Sequence, residues 1–106
     1  MACKVVTSAG FDERFEFAVE YRLEYVGRRS AQKLVKALEE ATSLLEQTPL
    51  VGALVDRDSD EPQPEDLRWV VVDSYIAVYR HHADDGMVML EDIFYSSEDW
   101  RSVVGN

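Results

Sequence analysis

The chain has 106 residues, of which 46% are apolar and 30% charged, a balance that fits one compact domain over residues 1–106 and argues against intrinsic disorder. No apolar run approaches the roughly 18 residues of a membrane span. The opening Met1-Ala2-Cys3-Lys4-Val5-Val6-Thr7 lacks the basic-then-apolar pattern of a signal peptide, and a single cysteine, Cys3, excludes an internal disulfide. A cytoplasmic location is the expectation, with Cys3 as a small buried or half-buried side chain.

The charge is unusual in size and placement. Eleven basic residues face twenty-one acidic ones, for a formal net charge of -10. Residues 1–54 carry seven basic and eight acidic side chains, whereas 55–106 carry four and thirteen. Such a surface repels phosphate backbones, so free nucleic acid is an unfavourable partner and a basic protein segment a favourable one.

In chain order, Cys3 to Thr7 predicts a short strand closed by Ser8-Ala9-Gly10. Asp12 suits the N-cap of a first helix, in which Phe11, Phe15, Ala18, Tyr21 or Arg22, and Tyr25 recur at helical spacing before Gly27 ends it. Ser30 suits the cap of a second. Its apolar stripe is Ala31, Leu34, Leu38, Ala41 and Leu45, widened by Val35 and Leu44, with Gln32, Lys33, Lys36, Glu39, Glu40 and Ser43 opposite. Pro49 forces Thr48 out of helical geometry and stops this helix near Gln47. The short link at Gly27 predicts an antiparallel helical hairpin.

Beyond Leu50 to Val55, the segment Asp56–Asp66 holds six acids and two prolines and predicts a solvated loop. Trp69 to Val72, Tyr75 to Tyr79 and Met87 to Tyr95 are rich in β-branched and aromatic residues and predict three strands. Asp73-Ser74 and Asp84-Asp85-Gly86 provide the turns between them. Ser96 or Ser97 then suits the cap of a short last helix with Trp100, Val103 and Val104.

This order predicts an α+β fold: an antiparallel sheet of about four strands on one helical hairpin, with Val5-Val6 as the first, edge-entering strand. The expected core is Phe15, Leu34, Leu38, Leu45, Val71, Ile76, Val78, Val88 and Leu90.

Few constellations carry chemistry. Asp56, Asp58 and Asp60 start like a calcium loop, but Glu61 and Leu67 occupy the positions that need Gly and a bidentate Glu. His81 and His82 are strand neighbours that point to opposite faces, so they do not share a metal. Packing at the hairpin end is their plain reading, and proton transfer near neutral pH the chemical alternative. Phosphate-binding glycine loops and nucleophile elbows are absent, so neither a metal nor a cofactor is expected. A polar and aromatic set remains on the strand half: Arg68, Tyr75, Tyr79, Arg80, Tyr95, Trp100 and Arg101. Core aromatics with flanking arginines account for most of it.

The helical segment (Tyr21, Ala31, Leu34, Leu38, Ala41, Leu44-Leu45, Pro49, Gly52) resembles the helical hairpin of RelE/ParE-type toxins of bacterial type II toxin–antitoxin, or plasmid stabilisation, systems. The second half continues the resemblance through Leu67-Arg68, Tyr75 to Arg80, Asp84-Asp85-Gly86, Val88 to Phe94 and Asp99-Trp100. The resemblance implies a toxin neutralised by wrapping with a small cognate antitoxin, and the acidic charge adds the expectation that the wrapping segment is basic or amphipathic. Its target would be mRNA on the ribosome in the RelE branch or DNA gyrase in the ParE branch. It further implies that Arg68 and Arg80 hold a scissile phosphate while Tyr95, where many relatives have His, positions or protonates. Arginine forks suit a phosphorane and tyrosine suits an acid or a stacking plane.

Two departures stand out. The run Tyr95-Ser96-Ser97-Glu98-Asp99 replaces the basic tail of many relatives, and Asp56–Asp66 is acidic where mRNA-cutting relatives are often basic. A toxin fold serving as a non-catalytic interaction module is the alternative.

Overall fold

A computed structural model describes residues 3–56, 60–63, 65–97 and 99–101. Two helices, α1 (Ala9–Tyr25) and α2 (Arg28–Gln47), form a hairpin against one face of a five-stranded sheet. The strands are β1 (Lys4–Thr7), β2 (Ala53–Leu54), β3 (Arg68–Val72), β4 (Tyr75–His82) and β5 (Met87–Tyr95), in spatial order β1-β5-β4-β3-β2.

Three of the four pairings are antiparallel, but β1 runs parallel to β5, with Lys4 opposite Met87 and Thr7 opposite Leu90. The expected antiparallel, four-stranded sheet is thus corrected to a mixed one of five strands. The reason is directional. Two antiparallel helices return the chain to its starting direction, so β2 opposes β1, and three further reversals bring β5 into line with it. β1 skips its sequence neighbours and joins the last strand. The two-residue β2 is too short to leave a periodic signal.

The helix boundaries also shift. Ser8, rather than Asp12, caps α1, its hydroxyl accepting from the Phe11 amide at 3.0 Å. α2 starts two residues before Ser30, because Gly27 adopts φ 136° and turns the chain directly into it. The end at Gln47 is as expected. Between β4 and β5 the turn is a 3-10 segment, Ala83–Asp85, followed by left-handed Gly86 at φ 60°.

Of the predicted core, Leu34, Leu45, Ile76, Val78, Val88 and Leu90 are buried, while Phe15 and Leu38 are half-buried against them. Val71 is a correction: it is 60% exposed, because Val70 and Val72 take the helix-facing positions of β3 and alternation turns Val71 outward. Phe11, Ala18, Tyr79, Ile93 and Phe94 complete the interior. The apolar side chains separate into two clusters. Phe11, Leu34, Leu45, Tyr79, Val88 and Ile93 lie between the sheet and the helices, and Ile76, Val78, Phe94 and Trp100 lie on the opposite face.

One irregularity sets the phase of β5. Val78 opposes Asp92 while Tyr79 opposes Leu90, so Glu91 is an extra residue, a β-bulge. Ser8 fastens it: its hydroxyl donates to the Glu91 carbonyl at 2.7 Å and its amide donates to the Leu90 carbonyl at 3.0 Å. The start of α1 is thereby tied to β5.

The described parts of Asp56–Asp66 are exposed except half-buried Asp66; Asp58 lies outside the described residues. Trp100 and Arg101 are helical, and Val103 and Val104 of the expected last helix also lie outside them. No helix among the described residues is long and apolar enough to cross a membrane.

Candidate functional site

The three residues singled out for phosphate chemistry are not brought together. Arg68 begins β3 opposite Tyr79, and its guanidinium donates to the carbonyls of Gly52 (2.8 Å) and Leu50 (3.2 Å) in the loop after α2. The Gly52 amide in turn donates to the Tyr79 hydroxyl at 2.8 Å. A β-carbon at Gly52 would stand 2.6 Å from that hydroxyl and 2.7 Å from the Trp69 carbonyl, which is why glycine occupies this position. Burial raises the pKa of the Tyr79 hydroxyl, against opposing effects of the Gly52 hydrogen bond and the Arg68 charge. Arg68 is therefore a clamp between the loop and the sheet.

Arg80 points to the face opposite the helices. Its Nε pairs with Glu91 at 3.0 Å, and one terminal nitrogen donates to the Glu65 carbonyl at 3.0 Å. Tyr95 lies at the far end of β5, opposite Tyr75, with ring centroids 5.4 Å apart. Tyr79 lies four residue steps beyond Tyr75 on β4, so Tyr95 and Arg68 are about 13 Å apart along the strand direction. No phosphate-sized point is shared by these side chains.

His81 sits beside Cys3, with its Nε2 3.6 Å from the sulfur. No metal-binding group of three or more His, Cys, Asp or Glu exists among the described residues.

A concave, largely apolar surface lies elsewhere. Between α1 and the end of β5, a groove of about 710 Å³ is walled by Phe17 and Tyr21 from α1 and by Tyr75, Ile93 and Tyr95 from the sheet, with Glu13 and Arg14 also lining it. β1 ends opposite Leu90, so among the described residues no strand pairs with the outer edge of 91–95 of β5. Arg14 crosses this open side, pairing with Asp92 at 3.2 Å and lying 4.8 Å over the Phe94 ring. Arg22 sits deeper, ion-paired with Asp73, hydrogen-bonded to Ser74 at 2.8 Å and stacked on Tyr75 at 5.5 Å. The pair joins α1 to the β3–β4 turn, where Asp73 has φ 56°.

α1 is apolar on two sides. Phe11 and Ala18 face the core, whereas Phe17, Tyr21 and Tyr25 form a second stripe at four-residue spacing, half or more exposed. Helical spacing alone places Tyr21 and Tyr25 in one stripe with Phe11, and so misses this outer surface. The available signal was Phe17, an aromatic out of phase with the core positions in a helix already supplied with enough of them.

Residues 11–100 match the family described as the ParE toxin of the type II toxin–antitoxin system, parDE. Among solved structures, the fold is similar to a chain of the chromosomal ParDE system from P. aeruginosa, at 17% identity and a TM-score of 0.65, covering 89% of this chain and 96% of that one. It is also similar to a chain of the archaeal RelE–RelB complex from Pyrococcus horikoshii, at 12% identity and a TM-score of 0.61, covering 92% and 99%. The isolated E. coli RelE toxin is similar at 15% identity and a TM-score of 0.55, covering 98% and 97%. No curated protein matches the chain.

Proposed function

The chain belongs to the ParE toxin family of type II toxin–antitoxin systems, and from that premise we propose that it is a cytoplasmic toxin that binds a protein target, DNA gyrase, and is neutralised by a cognate antitoxin. The observation that carries the choice of target is the dispersal of Arg68, Arg80 and Tyr95. Cutting RNA needs a base, an acid and cations converging on one phosphate. Here Arg68 is occupied by two loop carbonyls, Arg80 by Glu91 and Glu65 on the opposite face, and Tyr95 stands about 13 Å along the strand direction from Arg68. The net charge of -10 works against RNA in the same direction.

An antitoxin partner is supported by the exposed aromatic stripe of α1 beside the open end of β5. A monomer rarely leaves such a surface uncovered.

The test is induced expression, reading growth, DNA breaks with gyrase attached and the 5′ ends of mRNA. Arrest with gyrase-linked breaks and intact mRNA is expected, unchanged in Arg80→Ala and in the folded control Lys36→Ala. Cleaved mRNA that disappears in Arg80→Ala and Tyr95→Phe overturns the gyrase reading in favour of ribosome-dependent cutting. Absence of arrest leaves the interaction module as the function.

A further inference from the structure

We propose that the groove between α1 and β5 is a recognition subsite for one cationic side chain, an arginine or lysine flanked by apolar residues on a basic segment of the antitoxin; this rests on the antitoxin reading above. Three observations lead there. The walls are aromatic, with Phe17 and Tyr21 facing Tyr75 and Tyr95, and ring faces attract cations through their quadrupoles. A carboxylate, Glu13, lines the same groove and makes no ion pair among the described residues. Arg14 does not supply the missing cation, because Asp92 takes its charge and Phe94 its face.

The surroundings favour a positive ligand. Glu13, Glu16, Glu20 and Glu24 are exposed along α1, on one flank of the aromatic stripe. At spacings of three and four residues they form a row that a basic segment lying along the helix would follow. The chain already contains the same combination internally. Arg22 lies over the Tyr75 ring at 5.5 Å while paired with Asp73, a guanidinium set between a ring and a carboxylate and further fixed by hydrogen bonds to the Ser74 hydroxyl and the Ser30 carbonyl. The groove repeats that arrangement on the outside, with the cation left for a partner to bring. Ile93 and Phe17 provide apolar wall on either side, which is why the flanking residues of the ligand are apolar.

The probe is the capped tripeptide Ac-Leu-Arg-Leu-NH2, titrated into the full chain and followed by the ring resonances of Phe17, Tyr21 and Tyr75. Comparison peptides carry citrulline, the neutral analogue of arginine, or norleucine in its place. The arginine peptide is expected to move those resonances and to bind about fivefold or more tighter than either comparison. Glu13→Gln and Tyr21→Leu are each expected to weaken it about threefold, with Glu39→Gln on α2 unchanged. Equal binding of the norleucine or citrulline peptide overturns the proposal and makes the groove a purely apolar one. Shifts confined to residues outside the groove, or none, overturn it as well. Because purified protein and a defined peptide are used, failure here is separate from failure to arrest growth, which bears on the toxin reading alone.

Discussion

The two faces of the sheet are built from similar residues and treated differently. Toward the helices, Leu34, Leu45, Tyr79 and Val88 are completely excluded from solvent, and the Gly52–Tyr79 hydrogen bond is buried with them, while Arg68 closes on the Gly52 carbonyl from a half-buried position. On the other face, Ile76, Val78, Phe94 and Trp100 form a smaller cluster, and Val71, on the same strand as buried Val72, stands 60% exposed. β-branched composition does not distinguish these environments. What differs is the cover: two long helices on one side, and on the other, among the described residues, Val55, Leu67 and the contacts around Trp100, with Trp69 at 5.6 Å and Arg101 at 5.0 Å from its ring.

The contrast is sharpened most by Leu45→Ala. It opens a cavity under the helical hairpin and is expected to lower unfolding free energy by about 3 kcal/mol in urea titration. A loss below about 1 kcal/mol would mean the helix-side core is much looser than its burial implies. Next comes Gly52→Ala, which drives a methyl into the Tyr79 hydroxyl and the Trp69 carbonyl, with an expected loss of about 2 kcal/mol.

Tyr79→Phe leaves the Gly52 amide without its acceptor and is expected to remove about 1 kcal/mol near neutral pH. It carries a pH signature too. Burial raises the folded-state pKa above the ordinary value of 10.0, so the folded protein holds the phenolic proton more tightly than the unfolded chain. This contribution is present in full below pH 10.0 and is lost as pH rises through the higher folded value. Thermal melts from pH 8 upward are therefore expected to decline less steeply in Tyr79→Phe than in the parent chain. Equal alkaline decline in both would assign the effect to other groups.

At the open edge, Arg14→Ala removes a half-exposed ion pair with Asp92 and a ring contact, and is expected to cost about 0.5 kcal/mol, diminishing in high salt. Smallest of all is Val71→Ala, expected within about 0.5 kcal/mol of the parent. A large loss there would show that the outer face is covered in solution.

Local chemistry made much of this fold legible. Pro49 stops α2, Gly86 turns β4 into β5, and the apolar spacing from Ala31 to Leu45 marks the inner face of α2. Long-range facts were not legible. Nothing local in Lys4–Thr7 says that its neighbour is β5, and nothing in Val70-Val71-Val72 says which valine faces outward. The candidate site divided in the same way. Arg68 and Arg80 are conspicuous in sequence, but the side each takes depends on strand phase, and their partners are backbone carbonyls and a carboxylate on other elements. The groove was hidden because its aromatic wall joins residues of α1 to residues more than fifty positions away.

The parallel pairing of β1 with β5 also governs when the fold can be completed. Lys4 meets Met87 and Thr7 meets Leu90, so during synthesis the earliest strand waits, unpaired, until the last one has left the ribosomal tunnel. The helical hairpin can form early from contacts close in sequence, whereas closing the sheet spans most of the chain and is slow for that reason. A nascent copy thus holds a helical hairpin before it holds a finished sheet. The outer stripe of α1 is available to a partner during translation, ahead of any surface that depends on β5.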